Sequence, residues 1–187
     1  MNYAKIIGAA PAKGRHASDL YPTPHEVTFA LLDFLHISKK CVLWDPAAGE
    51  GDMVEAFTQK GYPCIGTDIQ TGTDFLTAKI PQDADWIITN PPFSIADKFI
   101  CRCAESGKPF ALLLKSQYWH AKSRIGLFAE ITPMFLLPLT WRPDFNWKSG
   151  KKGSPLMDVM WVVWGPYGNG LRFPTYLPLK RPKEDAT

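Results

Sequence analysis

Long apolar runs are missing from this 187-residue sequence. None approaches the roughly 20 residues that a membrane-spanning helix requires. The first fourteen residues, Met1 to Gly14, lack the continuous apolar stretch of a secretory signal, so a soluble, cytoplasmic protein is expected. Cysteine is scarce: Cys41, Cys64, Cys101 and Cys103 are the whole complement, and no second Cys or His pair accompanies Cys101-x-Cys103. Reduced structural thiols are therefore expected, with no metal site and no disulfide framework. Internal repeats are absent too, and the length suits one domain with one core.

Net charge is small, +3, but its distribution is uneven. Residues 1–93 hold 7 Lys/Arg against 11 Asp/Glu, a balance of −4; residues 94–187 hold 14 against 7, a balance of +7. A basic second half beside an acidic first half points to a polyanionic partner. Scattered solvated lysines are the plainer alternative.

What is present is an alternation of short apolar runs and helical patterns. Residues 1–18 are read as a flexible arm, 19–178 as the single domain, and 179–187 as a charged tail. From Pro24 to about Ile37, Val27, Ala30, Leu31, Phe34 and Leu35 recur at helical spacing, with Thr23 as the expected N-cap and Pro24 at the first helical position. Strands are expected at 41–44, 64–67, 86–89, 110–114, 134–137 and 159–163, and helices at 52–60, 96–105 and 124–131. This order predicts an α/β protein with a mostly parallel sheet and helices on both faces. Three strands run into a polar residue, Asp45, Asp68 and Asn90. Ligands of such sheets bind outside the strands' carboxyl ends, so these three are expected to converge.

Asp45-Pro46-Ala47-Ala48-Gly49-Glu50-Gly51 links a strand to a helix. Gly49 and Gly51 let the backbone turn tightly and approach a ligand. The turn is neither G-x-G-x-x-G nor followed by Gly-Lys-Ser/Thr, and its acids would repel a pyrophosphate. It suits a ligand carrying positive charge, such as a sulfonium and an ammonium; a purely structural turn is the competing reading. Asp68 can accept from ribose hydroxyls, Ile69 can lie against an adenine ring, and Asp74, followed by Phe75, can accept from an adenine amine. Each Asp could equally cap its own turn.

Asn90-Pro91-Pro92-Phe93 follows a buried strand. Two prolines hold the chain extended and remove two donors. The Asn90 side-chain oxygen and the Pro91 carbonyl then offer two acceptors for one NH2 group, with Phe93 as an apolar face for a flat ring. A rigid strand-exit turn with a core Phe is the alternative. Further on, Trp141-Arg142-Pro143-Asp144-Phe145-Asn146-Trp147 precedes a basic, glycine-rich run, Lys148-Ser149-Gly150-Lys151-Lys152-Gly153. Arg142, Lys148, Lys151 and Lys152 are the expected phosphate contacts, with a solvated hairpin loop as the alternative.

With DPAAGEG and NPPF in this order after YPTP, the stretch Tyr21 to Trp164 resembles the amino-methylating N6-adenine DNA methyltransferases, close to the small phage-encoded ones. The resemblance implies a Rossmann-like class I methyltransferase fold, S-adenosylmethionine as cofactor and DNA, double-stranded, as partner. It implies that Tyr21 and Thr23 contact the donor, that Asp45, Ala47, Gly49 and Gly51 hold its methionine part, and that Asp68 and Asp74 hold ribose and adenine. Asn90 and Pro91 would bind the target amine, with Pro92 and Phe93 completing the catalytic strip and Phe145 as a second aromatic beside the target. Protection of DNA in a restriction-modification setting is the purpose it implies. The stretch from Asp68 to Trp86 barely accommodates a helix and a strand, so one of the usual seven strands is expected to be reduced or lost. With no large recognition domain after the strip, short or relaxed sequence specificity is expected, in a monomer or homodimer. Methylation of RNA adenine or of protein glutamine, and an inactive donor-binding module, are the other readings the motifs allow.

Overall fold

The computed structural model describes residues 21–149, 157–165 and 174–182. Its elements run α1 (His25–Leu35), β1 (Leu43–Asp45), α2 (Asp52–Gln59), β2 (Cys64–Gly66), β3 (Trp86–Thr89), α3 (Ala96–Glu105), β4 (Phe110–Lys115), α4 (Ile125–Glu130), β5 (Phe135–Pro138), β6 (Val159–Trp164) and β7 (Thr175–Tyr176). The strands form one sheet in the order β2-β1-β3-β4-β6-β5-β7. Pairing is parallel from β2 through β4 and between β5 and β7; β6 runs antiparallel to both its neighbours.

The two longest strands explain the layering. Strand side chains alternate faces. On β4, Ala111 and Leu113 enter one core with Val27 and Leu31 of α1 and Phe57 of α2. Phe110, Leu112 and Leu114 enter the other, with Phe99 and Ile100 of α3 and Leu127 of α4. On β6, Trp161 and Val163 share the first core, Met160, Val162 and Trp164 the second. All six β6 residues are buried. A strand apolar on both faces needs helices on both sides, which is the expected architecture.

No strand forms between Gly66 and Trp86, where a single 3-10 turn, Ile69–Thr71, takes the place of a helix-strand pair. That leaves β2 at an edge, the anticipated loss. The seventh strand is instead β7, two exposed residues on the far edge. The expected cap of α1 is corrected: the N-cap is Pro24, and no side chain caps the helix. Thr23, only 4% exposed, has its hydroxyl occupied by Asn90 instead. The start of the expected 179–187 tail is anchored, with Leu179 buried and bridged to Leu139, and Arg181 bonded to Glu26 at 3.1 Å. Residues 1–18 lie outside the described residues. Among those described, no helix is long and apolar enough to cross a membrane.

All four cysteines are free, and no metal-ligating cluster occurs among the described residues. Burial, then the charges of Asp97 and Glu105, pushes the Cys101 thiol up to about 11, and burial raises Cys103 as well. The thiolate is the reactive form. Iodoacetamide at pH 8 should therefore label the half-buried Cys41 and Cys64 while sparing Cys101 and Cys103; prompt modification of the helical pair, read by peptide mass, would contradict their packing.

Candidate active site

The chain leaves β1 toward β2 on one side and returns to β3 on the other. Between β1 and β3 the connections therefore diverge, and a crevice opens at the strands' carboxyl ends. A cleft of about 310 Å³ lies there, at the small end of the usual range for ligand sites. Tyr21, Pro22 and Thr23 line it from the chain entering α1, Asp45 through Glu50 (Pro46 excepted) with Asp52 and Met53 from the turn after β1 and the start of α2, Asn90 from the end of β3, and Phe145, Asn146 and Lys148 from the segment after β5.

Local hydrogen bonds set the turn. Asp45 is 2% exposed. Its Oδ1 accepts from the Thr89 hydroxyl at 2.6 Å and from the Ala47 amide at 3.1 Å, tying the ends of β1 and β3 together. Gly51 adopts φ 93° as the N-cap of α2, a left-handed conformation that favours glycine. Asp68 is buried: one oxygen accepts from the Gly49 amide at 2.9 Å and the other from the Gln70 amide at 2.8 Å. This carboxylate thus locks the glycine turn from behind.

Asn90 is the decisive side chain. Its Nδ2 donates to the Thr23 hydroxyl at 3.0 Å and to the Tyr21 carbonyl at 3.3 Å. A carbonyl can only accept, so the nitrogen must face it, which fixes the amide's orientation. The opposite atom, Oδ1, is buried without a hydrogen-bond partner among the described residues. An unpaired buried acceptor is expensive, on the order of 1–3 kcal/mol, and marks a place where a donor belongs. Pro91 and Pro92, which follow Asn90 in the chain, are buried. Phe93 is half-buried, 5.7 Å from the Tyr21 ring and 4.6 Å from the Lys115 ammonium; Tyr21 in turn meets Phe145 edge-on at 5.9 Å.

Of the residues anticipated from sequence, Tyr21, Thr23, Asp45, Ala47, Gly49, Asn90, Phe145 and Lys148 come together in the cleft. Others stand apart. Ile69 is 50% exposed beside Asp68. Asp74 accepts from the Leu76 amide at 3.0 Å within its own turn. Phe75 is 2% exposed and packs between Trp44 and Phe99, so its ring belongs to the core and only its backbone is left for a ligand. Arg142 is an exposed residue paired with Asp158 at 2.7 Å. Lys151 and Lys152 lie outside the described residues.

Lys148, anticipated as a phosphate contact, instead holds Glu50 at 3.1 Å and makes a closer ion pair with Asp52. The hydrogen bond to Asp52 raises its pKa; partial desolvation opposes this, and Glu50 adds to the rise. Met53, Asn146 and Pro22 also line the cleft, and sequence reasoning did not find them. The nearest signal was the Asp-x-Asn turn at Asp144, whose carboxylate accepts from the Asn146 amide.

No protein-family model matches this sequence, and no curated protein does. Solved structures do. A Listeria monocytogenes protein assigned as a class I S-adenosylmethionine-dependent methyltransferase superposes with a TM-score of 0.58 at 12% identity, over 89% of this chain and 67% of that one. The fold is that of the class I methyltransferases. A Vibrio vulnificus protein assigned as the modification subunit of a type I restriction enzyme shares the methyltransferase fold, with a TM-score of 0.58 at 14% identity over 90% of this chain and 49% of the other. So does the methyltransferase subunit of a type I restriction-modification system from Streptococcus thermophilus, at 0.56 and 14%, over 76% and 44%. The chain spans about half the length of these two subunits. Identities at this level speak for the methyltransferase fold alone, because one fold hosts many functions.

Proposed function

We propose that this protein transfers a methyl group from S-adenosylmethionine to the exocyclic amine of adenine in DNA. The observation that carries the reading is Asn90 Oδ1, a buried acceptor with its orientation fixed and no partner among the described residues. It lies at the end of β3, in the same cleft as the acidic glycine turn.

The cleft's chemistry fits the donor. Asp45, Glu50 and Asp52 give it an acidic lining against a ligand that carries a sulfonium and an ammonium. Gly49 and Gly51, both at positive φ, let the turn take a conformation that residues with a Cβ rarely adopt. When bound, the donor supplies an electrophilic methyl group. The residues of this chain prepare the acceptor. The N6 lone pair of adenine is delocalised into the ring, so the amine is a poor nucleophile. Accepting N6–H bonds at Asn90 Oδ1 and at the Pro91 carbonyl favours a pyramidal nitrogen and stabilises the positive charge developing on it. The target atom is out of reach in a stacked duplex, so the base must be flipped out; Phe93 would stack on it and offset part of the unstacking cost.

Charge favours a nucleic-acid substrate. The half of the chain after Phe93 carries +7, and two of the fold's relatives are modification subunits of restriction systems. Lys115, next to Phe93, has no carboxylate partner among the described residues, and Lys122 is exposed on the segment that follows β4. Both rim the end of the sheet where the strip lies. The direct check supplies labelled S-adenosylmethionine with DNA, RNA and protein in parallel. Label is expected in DNA, at adenine N6, and site mapping would define the short recognition sequence. Label confined to protein or to RNA would overturn the substrate while leaving the methyl transfer standing.

A further inference from the structure

Among the described residues, Lys148 is the one ammonium that lines the cleft, and it stands between two carboxylates. It arrives there from a distant part of the chain, on the 3-10 turn Trp147–Ser149 that follows β5. That segment is moored without it. Trp147 Nε1 donates to the Pro22 carbonyl at 3.3 Å, and its ring meets His25 edge-on at 5.5 Å. Phe145, 6% exposed, is wedged against Tyr21. The loop therefore has anchors besides the ion pairs that Lys148 makes with Glu50 and Asp52.

The three charged heads have a definite stoichiometry. Glu50 and Asp52 bring two negative charges, Lys148 one positive. The Asp52 side chain is 7% exposed, so its charge needs a cation close by at all times. A zwitterion that enters such a group adds one charge of each sign and pairs both: its cation meets the carboxylates, its anion meets the lysine. An anion alone would meet two carboxylates, and a cation alone would compete with Lys148. Asn90, whose buried Oδ1 has no partner among the described residues, also lines the cleft, an independent sign that a ligand completes it.

We propose that Lys148, Glu50 and Asp52 form the seat for the α-amino acid head of the methyl donor, with Lys148 taking its carboxylate and the two acids its ammonium. This rests on the donor reading above. It moves Lys148 from the nucleic-acid surface, where its sequence neighbours Lys151 and Lys152 suggest it belongs, into the donor site.

Two nucleosides separate the possibilities without any turnover. S-Adenosylhomocysteine carries the amino acid head; 5′-methylthioadenosine has the same adenosine and thioether but lacks it. Calorimetric titration of the full chain should show Lys148→Met weakening S-adenosylhomocysteine roughly tenfold to a hundredfold, the scale of one charge-assisted hydrogen bond. Methylthioadenosine should change by less than about twofold, and Lys148→Arg should recover most of the loss. Glu50→Gln should reproduce the selectivity in milder form, because Asp52 remains. Equal weakening of both nucleosides would reduce Lys148 to a loop staple and overturn the proposal. Tighter binding in Lys148→Met would overturn it differently, making the lysine a competitor of the ligand's ammonium. Wild-type protein that binds neither nucleoside would defeat the donor reading itself.

Discussion

If the proposed reaction holds, replacing Asn90 by Ala should all but abolish methyl transfer, with kcat expected to fall by at least about 10²–10³, the scale of one preorganised group facing developing charge. The structure sharpens this expectation in two ways. Asn90 Nδ2 holds the Thr23 hydroxyl and the Tyr21 carbonyl, so the side chain also ties down one wall of the cleft. Binding of S-adenosylhomocysteine should accordingly weaken a few-fold, far less than kcat. The second point concerns orientation. The amide oxygen is left as the unpartnered end because the nitrogen is held by two acceptors. Thr23→Val removes one of them and keeps the shape. It should lower kcat by a smaller factor than Asn90→Ala, roughly tenfold, with binding of the donor's product unchanged. Methylation rates under saturating donor, measured with a fixed adenine-containing duplex, decide the matter. Normal turnover by Asn90→Ala would remove the strip from the chemistry altogether.

That side chain could be singled out from sequence because its cues are local. A buried apolar strand, Trp86–Thr89, precedes it, and two prolines stop the chain from continuing as helix or ladder. The same kind of cue exposes most of the fold: α3 occupies Ala96–Glu105, the span expected for it, and β4 up to Leu114 and β6 are continuous apolar runs. What escaped is long-range. Thr23 looks like an N-cap, yet its hydroxyl is occupied by a residue 67 positions away. Lys148 sits in a basic run and reads as a phosphate contact, but it is paired with carboxylates, one of them 98 positions earlier. Strand β7 holds only two residues, and its register against Phe135 and Leu136, not its own pattern, makes it a strand. Phe75 follows a candidate ligand residue in sequence, but the packing of Trp44 and Phe99 turns its ring into the core. Sequence periodicity reports which face of an element is apolar. It does not report which partner arrives at that face, and the cleft is assembled almost wholly from such arrivals.

The largest effect on stability is expected at Trp161, at the centre of β6. Its side chain is fully buried, and its Nε1 donates to the Val27 carbonyl of α1 at 2.9 Å. One residue thus fills the core on the α1 face and joins that helix to the sheet. Trp161→Ala should cost about 3–5 kcal/mol, the usual range for deleting a buried aromatic. Trp161→Phe keeps most of the apolar volume and loses the N–H donor; about 1–2 kcal/mol is expected, from the lost bond and the gap together. Urea titrations followed by far-ultraviolet circular dichroism measure both, and a loss below about 1 kcal/mol for the alanine variant would contradict this packing. The consequence reaches the site because α1 begins directly after Tyr21, Pro22 and Thr23. A helix that rocks on the sheet shifts the wall that orients Asn90. Trp161→Phe should therefore lower methyl transfer in proportion to the loss of S-adenosylhomocysteine binding, whereas Asn90→Ala lowers transfer far more than binding. Midpoints tell the two apart: a large fall for Trp161→Ala, and a smaller change for Asn90→Ala, which loses the two Nδ2 hydrogen bonds but also removes a buried oxygen without a partner among the described residues.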